Sequence, residues 1–276
     1  MKFQRFIGIC LAAVALGIAS CHDEDKPAPE PEKPGLKEEN ITYTGDSITM
    51  NGFVVYDSTR TDKLPAVLVV HEWWGLNDYS KKRARELADL GYIAMALDMY
   101  GNGKTADNPD SANKYSGYFY EHPDAAKKRF DAALAKLKSY SQADDSKVAA
   151  IGYCFGGAIV LSVAKLGDSL MGVVSFHGGG LNAVQPVKDL LKAKILVCQG
   201  GDDEFVPQPE VEKFKKQMDS VNANYTIKIY PGAKHAFTNP DATALGKKFK
   251  LPIAYNPAAD TASWKDMKEF FGTIFK

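Results

Sequence analysis

Ile151-Gly152-Tyr153-Cys154-Phe155-Gly156-Gly157 decides how this chain folds. Lys147 to Ile151 is an apolar run that reads as a strand, and Gly157 to Leu166 carries the small-residue pattern of a helix. Between them, G-x-C-x-G-G reads as a sharp strand-to-helix turn that holds the central side chain above the sheet edge. Glycines flank it because side chains there would clash. The free N–H groups of the following helix point back at the turn, which favours a thiolate and a developing oxyanion. Cys154 is therefore a candidate nucleophile. The plainer alternative is a buried cysteine in a glycine-rich turn.

Outward from this turn, strands and helices alternate. Residues 47–56 read as an antiparallel edge strand. Ala66–His71, Tyr92–Leu97, Gly172–Phe176, Lys194–Cys198 and Tyr225–Tyr230 read as further strands, most of them continuously apolar. Asn77–Leu90, Pro123–Tyr140, Pro209–Val221 and Thr261–Phe275 read as helices. Alternation of this kind implies an α/β fold, a mostly parallel sheet with helices on both faces. Its chemistry should gather where loops leave the carboxyl ends of the strands.

A thiol nucleophile needs a base, and the base needs an orienting group. Among the domain's histidines, His235 lies in Gly232-Ala233-Lys234-His235-Ala236-Phe237, the loop after the last strand, free to reach over the sheet edge. His177, at another strand end, is an alternative base or a pocket-wall residue. His71 ends a buried strand and reads as a core or rim histidine. The turn Gly200-Gly201-Asp202-Asp203-Glu204-Phe205-Val206-Pro207 offers an aspartate, Asp202 or Asp203, to hold the imidazole. The order nucleophile, acid, histidine is that of the α/β-hydrolase fold.

Five ordered motifs resemble the dienelactone hydrolase family: His71-Glu72-Trp73-Trp74-Gly75-Leu76, Asp98-Met99-Tyr100, Gly152 to Gly157, Gly200 to Pro207, and Lys234-His235-Ala236-Phe237. The resemblance covers most of residues 41–276 and implies a Cys154-Asp203-His235 triad, with Phe205-Val206-Pro207 setting the register in favour of Asp203. It further implies oxyanion donors at the Trp73 and Phe155 amides, and a Glu72 that modulates the resting cysteine. No cofactor or metal is implied, and no zinc-ligand spacing occurs in the chain. Where the family carries carboxylate-binding arginines, this chain has Asn102 and Asn239, so a neutral ester or lactone, or an acylated sugar, fits better than dienelactone. Trp74, Tyr100, Tyr118, Asn102, His177 and Asn239 are candidate pocket residues. A thioesterase or peptidase, or a non-catalytic binding lipoprotein on the same fold, are the alternatives.

The N-terminus has a different character. Lys2 and Arg5 precede an apolar run, Phe6 to Ala19, too short to span a bilayer and laid out like a secretory signal. Ile18-Ala19-Ser20-Cys21 resembles a bacterial lipobox, in which Cys21 would carry lipid after removal of residues 1–20. Residues 21–40 are Pro-rich and acidic and read as an extended linker. Asp23-Glu24-Asp25 resembles the surface-export signals of some Gram-negative lipoproteins. These features imply a cell-envelope protein, membrane-anchored through Cys21, with one domain over residues 41–276. The 34 basic and 34 acidic residues balance, so nothing suggests nucleic acid. Cys154 and Cys198 are the only cysteines left in the domain and do not make a disulfide scaffold.

Overall fold

The computed structural model describes Met1 and residues 35–276. The signal reading, Cys21 and the linker up to residue 34 lie outside the described residues. The strands are β1 (Leu36–Gly45), β2 (Ile48–Asp57), β3 (Leu64–Val70), β4 (Ile93–Leu97), β5 (Ala143–Tyr153), β6 (Gly172–Phe176), β7 (Lys194–Gly200) and β8 (Tyr225–Tyr230). The helices are α1 (Asp78–Asp89), α2 (Pro109–Glu121), α3 (Pro123–Lys138), α4 (Phe155–Lys165), α5 (Gln208–Ser220), α6 (Ala242–Phe249) and α7 (Pro257–Ile274). They form one eight-stranded sheet in the order β1-β2-β4-β3-β5-β6-β7-β8. β1, β2 and β4 pair antiparallel, and every pairing from β4–β3 to β7–β8 is parallel. The α/β architecture expected from the alternation is the one observed.

Strand alternation divides the core. Ala66, Leu68 and Val70 face a layer containing Phe130 of α3, Ile159 and Val163 of α4, and Phe214 of α5. Val67 and Val69 face Leu87 of α1 and Met267 and Phe271 of α7. β3 and the part of β5 from Val148 to Tyr153 are buried on both faces, hence their apolar runs. Every residue of α4 is buried, so the helix after Cys154 is built mostly from glycine, alanine and small aliphatics that lie close to the sheet.

Two expectations change. Residues 47–56 are not the edge. β1 covers them through a hairpin whose Asp46 and Ser47 have φ 51° and 59°, the left-handed pair of a tight type I′ turn. Residues 36–40, read as linker, are therefore strand. Lys37, Glu38 and Glu39 look like linker because an edge strand carries charges facing solvent, and Glu38 in fact pairs with Arg85 of α1. Residues 101–121 contain the regular helix α2. Asn108 caps it by accepting from Ser111 N–H at 3.0 Å, and Pro109 starts it. Tyr115, Tyr118, Tyr120 and Gly117 obscure its periodicity in the sequence.

Candidate active site

The turn between β5 and α4 places Cys154 at φ 52° and ψ −113°. This backbone is strained for a residue with a side chain and persists because its surroundings enforce it. A Cβ on Gly152 would lie 2.0 Å from Gly156 O, and one on Gly156 would lie 2.2 Å from Val70 O. Only glycine permits this approach of elbow, helix and β3. The Cys154 N–H is shared between Phe176 O at 3.0 Å and His177 Nδ1 at 3.2 Å. Its thiol makes no helix-cap bond; Sγ lies 3.0 Å from His235 Nε2.

His235 sits in the loop after β8, held by its carbonyl accepting from Ala254 N–H. Its Nδ1 lies 2.9 Å from Asp203 Oδ2. Asp203 is itself fixed by Gln199 Nε2 on Oδ2 at 2.8 Å and by the Phe205 and Val206 N–H groups on Oδ1 at 2.9 and 3.2 Å. Asp202 is exposed and gives its N–H to Ala233 O, a turn former. Burial alone would lower the pKa of His235. The charge of Cys154 and the hydrogen bonds to Asp203 and Cys154 outweigh it and push the imidazole up to about 10. A ring protonated on both nitrogens can donate to sulfur and carboxylate together.

The Trp73 and Phe155 N–H groups have no hydrogen-bond partner among the described residues. Phe155 opens α4, whose N-terminal dipole adds to its donor strength. Trp73 is steadied from behind, its carbonyl accepting from Tyr100 OH at 2.8 Å. His71 lies beneath, buried, with Nδ1 2.5 Å from Glu72 O and Nε2 accepting from Met99 N–H at 3.1 Å.

Among the described residues the Glu72 carboxylate makes no hydrogen bond to the Cys154 thiol. Its Oε2 accepts from Asn239 Nδ2 at 2.6 Å. Burial pushes its carboxyl up to about 7, against the Asn239 hydrogen bond and the charges of His235 and Arg83.

A cavity of about 210 Å³ opens onto Cys154. Its walls are Trp73, Trp74, Asn113, Ser116, Tyr120, Phe205, Ala236, Ala242, Leu245 and Ile253, and Glu72 and Asn239 line it together with Cys154. Of the residues expected there, Trp74 and Asn239 line it. Tyr100 is buried behind Trp73. His177 lies under the elbow, bonded to Cys154 N–H and Thr238. Asn102 is an exposed turn residue at φ 57° that bonds Thr49 O, away from the cavity. Tyr118 is 44% exposed on the outer face of α2, its ring tilted against that of His122. Tyr120 takes its place, because two residues on a helix turn by about 200°. Its ring packs edge-on to Phe155, and its hydroxyl has no partner among the described residues. The α6 wall had no motif to announce it. Among the described residues no cluster of His, Cys, Asp or Glu could hold a metal ion.

Comparison with known proteins agrees with the fold and with the family resemblance. The model of the dienelactone hydrolase family matches residues 50–275. A protein of Aquifex aeolicus named "Putative carboxymethylenebutenolidase" is 31% identical over 233 residues, covering 82% of this chain and 96% of its own. "Protein usf" of Aquifex pyrophilus is 31% identical over 229 residues, covering 80% and 94%. A dienelactone hydrolase-like promiscuous phosphotriesterase from metagenomic libraries superposes with a TM-score of 0.80 at 32% identity, over 87% of this chain and 99% of that one. A structure named m3DLH gives 0.83 at 31% identity, over 88% and 100%.

Proposed function

The chain belongs to the dienelactone hydrolase family, and from that premise we propose that it hydrolyses neutral carboxylic esters or lactones through a thioester on Cys154. The observation that carries this is the unbroken line Cys154 Sγ–His235 Nε2 at 3.0 Å and His235 Nδ1–Asp203 Oδ2 at 2.9 Å, ending on a strained elbow.

Cys154 Sγ attacks the ester carbonyl from a thiolate–imidazolium pair with His235. The carbonyl oxygen becomes an oxyanion that takes hydrogen bonds from the Trp73 and Phe155 N–H groups, donors typically worth about 3–4 kcal/mol each. The tetrahedral adduct collapses, the C–O bond breaks, and His235 Nε2–H gives its proton to the departing alkoxide. Water then attacks the thioester, with His235 accepting the water's proton. The thiolate leaves with the carboxylic acid as product. Asp203 holds the ring orientation and balances the imidazolium throughout. No step calls on a metal or cofactor.

The lining supports a neutral substrate. Among the described residues it contains no arginine or lysine, and its one ionisable wall residue other than the triad and tyrosine is Glu72. Bidentate capture of a carboxylate needs a guanidinium fork, which Asn239 does not supply. An acylated sugar remains within the class, since Asn113, Ser116 and Tyr120 put polar groups on one wall. The test is turnover of p-nitrophenyl acetate and butyrate, with matched thioesters and anilides, by the protein and by Cys154→Ala. Ester turnover that depends on Cys154 is expected. Preference for the thioester or anilide would move the protein to another hydrolase class, and absence of turnover on every substrate would favour a binding role.

For the N-terminus we propose lipidation at Cys21 and anchorage in the cell envelope, with the outer membrane as the favoured site. The lipobox-like Ile18-Ala19-Ser20-Cys21 supports this. Fatty-acid labelling of the full chain in a bacterial host, lost in Cys21→Ala, is the expected result; equal labelling of both would refute it.

A further inference from the structure

We propose that His177 is a positioning residue that ties the nucleophile elbow to the His235 loop through Thr238; this rests on the thiol-hydrolase function above. The Cys154 N–H points at His177 Nδ1 at 3.2 Å, so that nitrogen carries no proton. The ring's one proton is therefore on Nε2, which lies 2.6 Å from Thr238 Oγ1. Thr238 stands three residues after His235, in the same loop. Its Oγ1 also lies 2.6 Å from Tyr79 Oη, and its carbonyl accepts from Arg83 Nη2 at 2.8 Å. Arg83 is anchored in turn by Asp260 at 2.6 Å and Glu86 at 2.8 Å.

These groups form one column from an ion-paired arginine to the backbone of the nucleophile. His177 and Thr238 are both fully buried. His177 has φ 39°, a second strained position beside that of Cys154. Its ring also meets His235 edge-on, with centroids 5.3 Å apart. One side chain thus touches both the elbow that carries the thiol and the ring that activates it, while the column sets its tautomer. Burial and the neighbouring His235 charge hold His177 well below its ordinary pKa, consistent with the neutral ring this arrangement needs.

Two variants with one control test the tie. Thr238→Val keeps the shape of Thr238 and removes the acceptor for His177 Nε2–H, while Thr238→Ser restores a hydroxyl. His177→Asn can still accept from the Cys154 N–H but is too short to reach Thr238, so it cuts the tie if Thr238→Val folds poorly. Steady-state hydrolysis of p-nitrophenyl butyrate should show kcat lowered about tenfold or more in Thr238→Val and His177→Asn, with KM within about twofold and Thr238→Ser within about threefold of the parent, as expected for a misplaced reacting group. Unchanged kcat in both variants, an equal loss in Thr238→Ser, or a loss confined to KM would overturn the proposal. If the parent shows no Cys154-dependent turnover, the hydrolase function fails and the rate of Cys154 alkylation by iodoacetamide decides the tie. Slower alkylation in Thr238→Val but not in Thr238→Ser supports it, and equal rates refute it.

Discussion

Replacing Glu72 by glutamine should remove a pH-dependent destabilisation of the fold. Glu72 is 2% exposed and lines the cavity, with one oxygen on Asn239 Nδ2. A glutamine carbonyl can accept that same bond, so packing and pairing survive the change. Burial raises the folded-state pKa from 4.5 to about 7. The folded protein therefore binds this proton more tightly than the unfolded chain does. The stabilisation is fully present below about pH 4.5 and is lost as pH rises through about 7. At 1.36 kcal/mol per unit the full span is about 3 kcal/mol, of which roughly 2–3 falls between about pH 5 and pH 8.5. Urea unfolding of both proteins at those two pH values isolates this contribution, because His235 and the other titrating groups are common to both. Relative to the parent, Glu72→Gln should gain stability on the order of 2 kcal/mol on going from the acidic to the alkaline condition. An unchanged difference between the two proteins would refute the buried, proton-binding carboxyl.

Other outcomes follow from the same geometry. Asp203→Asn keeps the shape but loses the anion that orients His235, so kcat for p-nitrophenyl butyrate should fall by roughly 10³- to 10⁴-fold with little change in KM. Gly156→Ala puts a methyl 2.2 Å from Val70 O; thermal unfolding should show a loss of about 3 kcal/mol or more, or no soluble protein. Asn239→Arg places a guanidinium beside Glu72, and the ratio of kcat/KM for a mono-ester of a dicarboxylic acid over its methylated diester should rise about tenfold. Tyr120→Phe removes from the wall a hydroxyl without a partner among the described residues and should lower kcat/KM about fivefold for esters carrying hydroxyl groups, leaving simple alkyl esters unaffected.

Much of the site was legible because its chemistry demands particular residues at particular turns. The elbow glycines announce a close backbone approach, which the contacts of Gly152 and Gly156 explain. Phe205-Val206 selects Asp203 over Asp202 for a physical reason: their N–H groups bind Asp203 Oδ1. The misses share a different origin. β1 is polar because it is an edge, and α2 has aromatics on several faces, so neither shows a clean period. Spacing from a motif also does not tell which way a side chain turns. Asn102 follows Tyr100 closely yet points out of the turn, while Tyr120 reaches the cavity that Tyr118 does not. Tyr100 and His177, read as wall residues, lie behind the wall and hold Trp73 and Cys154 in place. Glu72 was legible as a residue beside Cys154, but its bond to Asn239 Nδ2 was not, because the two lie far apart in the sequence.

The most direct test of the thiol mechanism is intact-mass analysis of the protein quenched in acid during turnover of p-nitrophenyl butyrate, with Cys154→Ala beside it. A butyryl adduct that maps to Cys154, and the loss of both adduct and turnover in Cys154→Ala, is the predicted result. Turnover that persists in Cys154→Ala, or an adduct on any other residue, would contradict it.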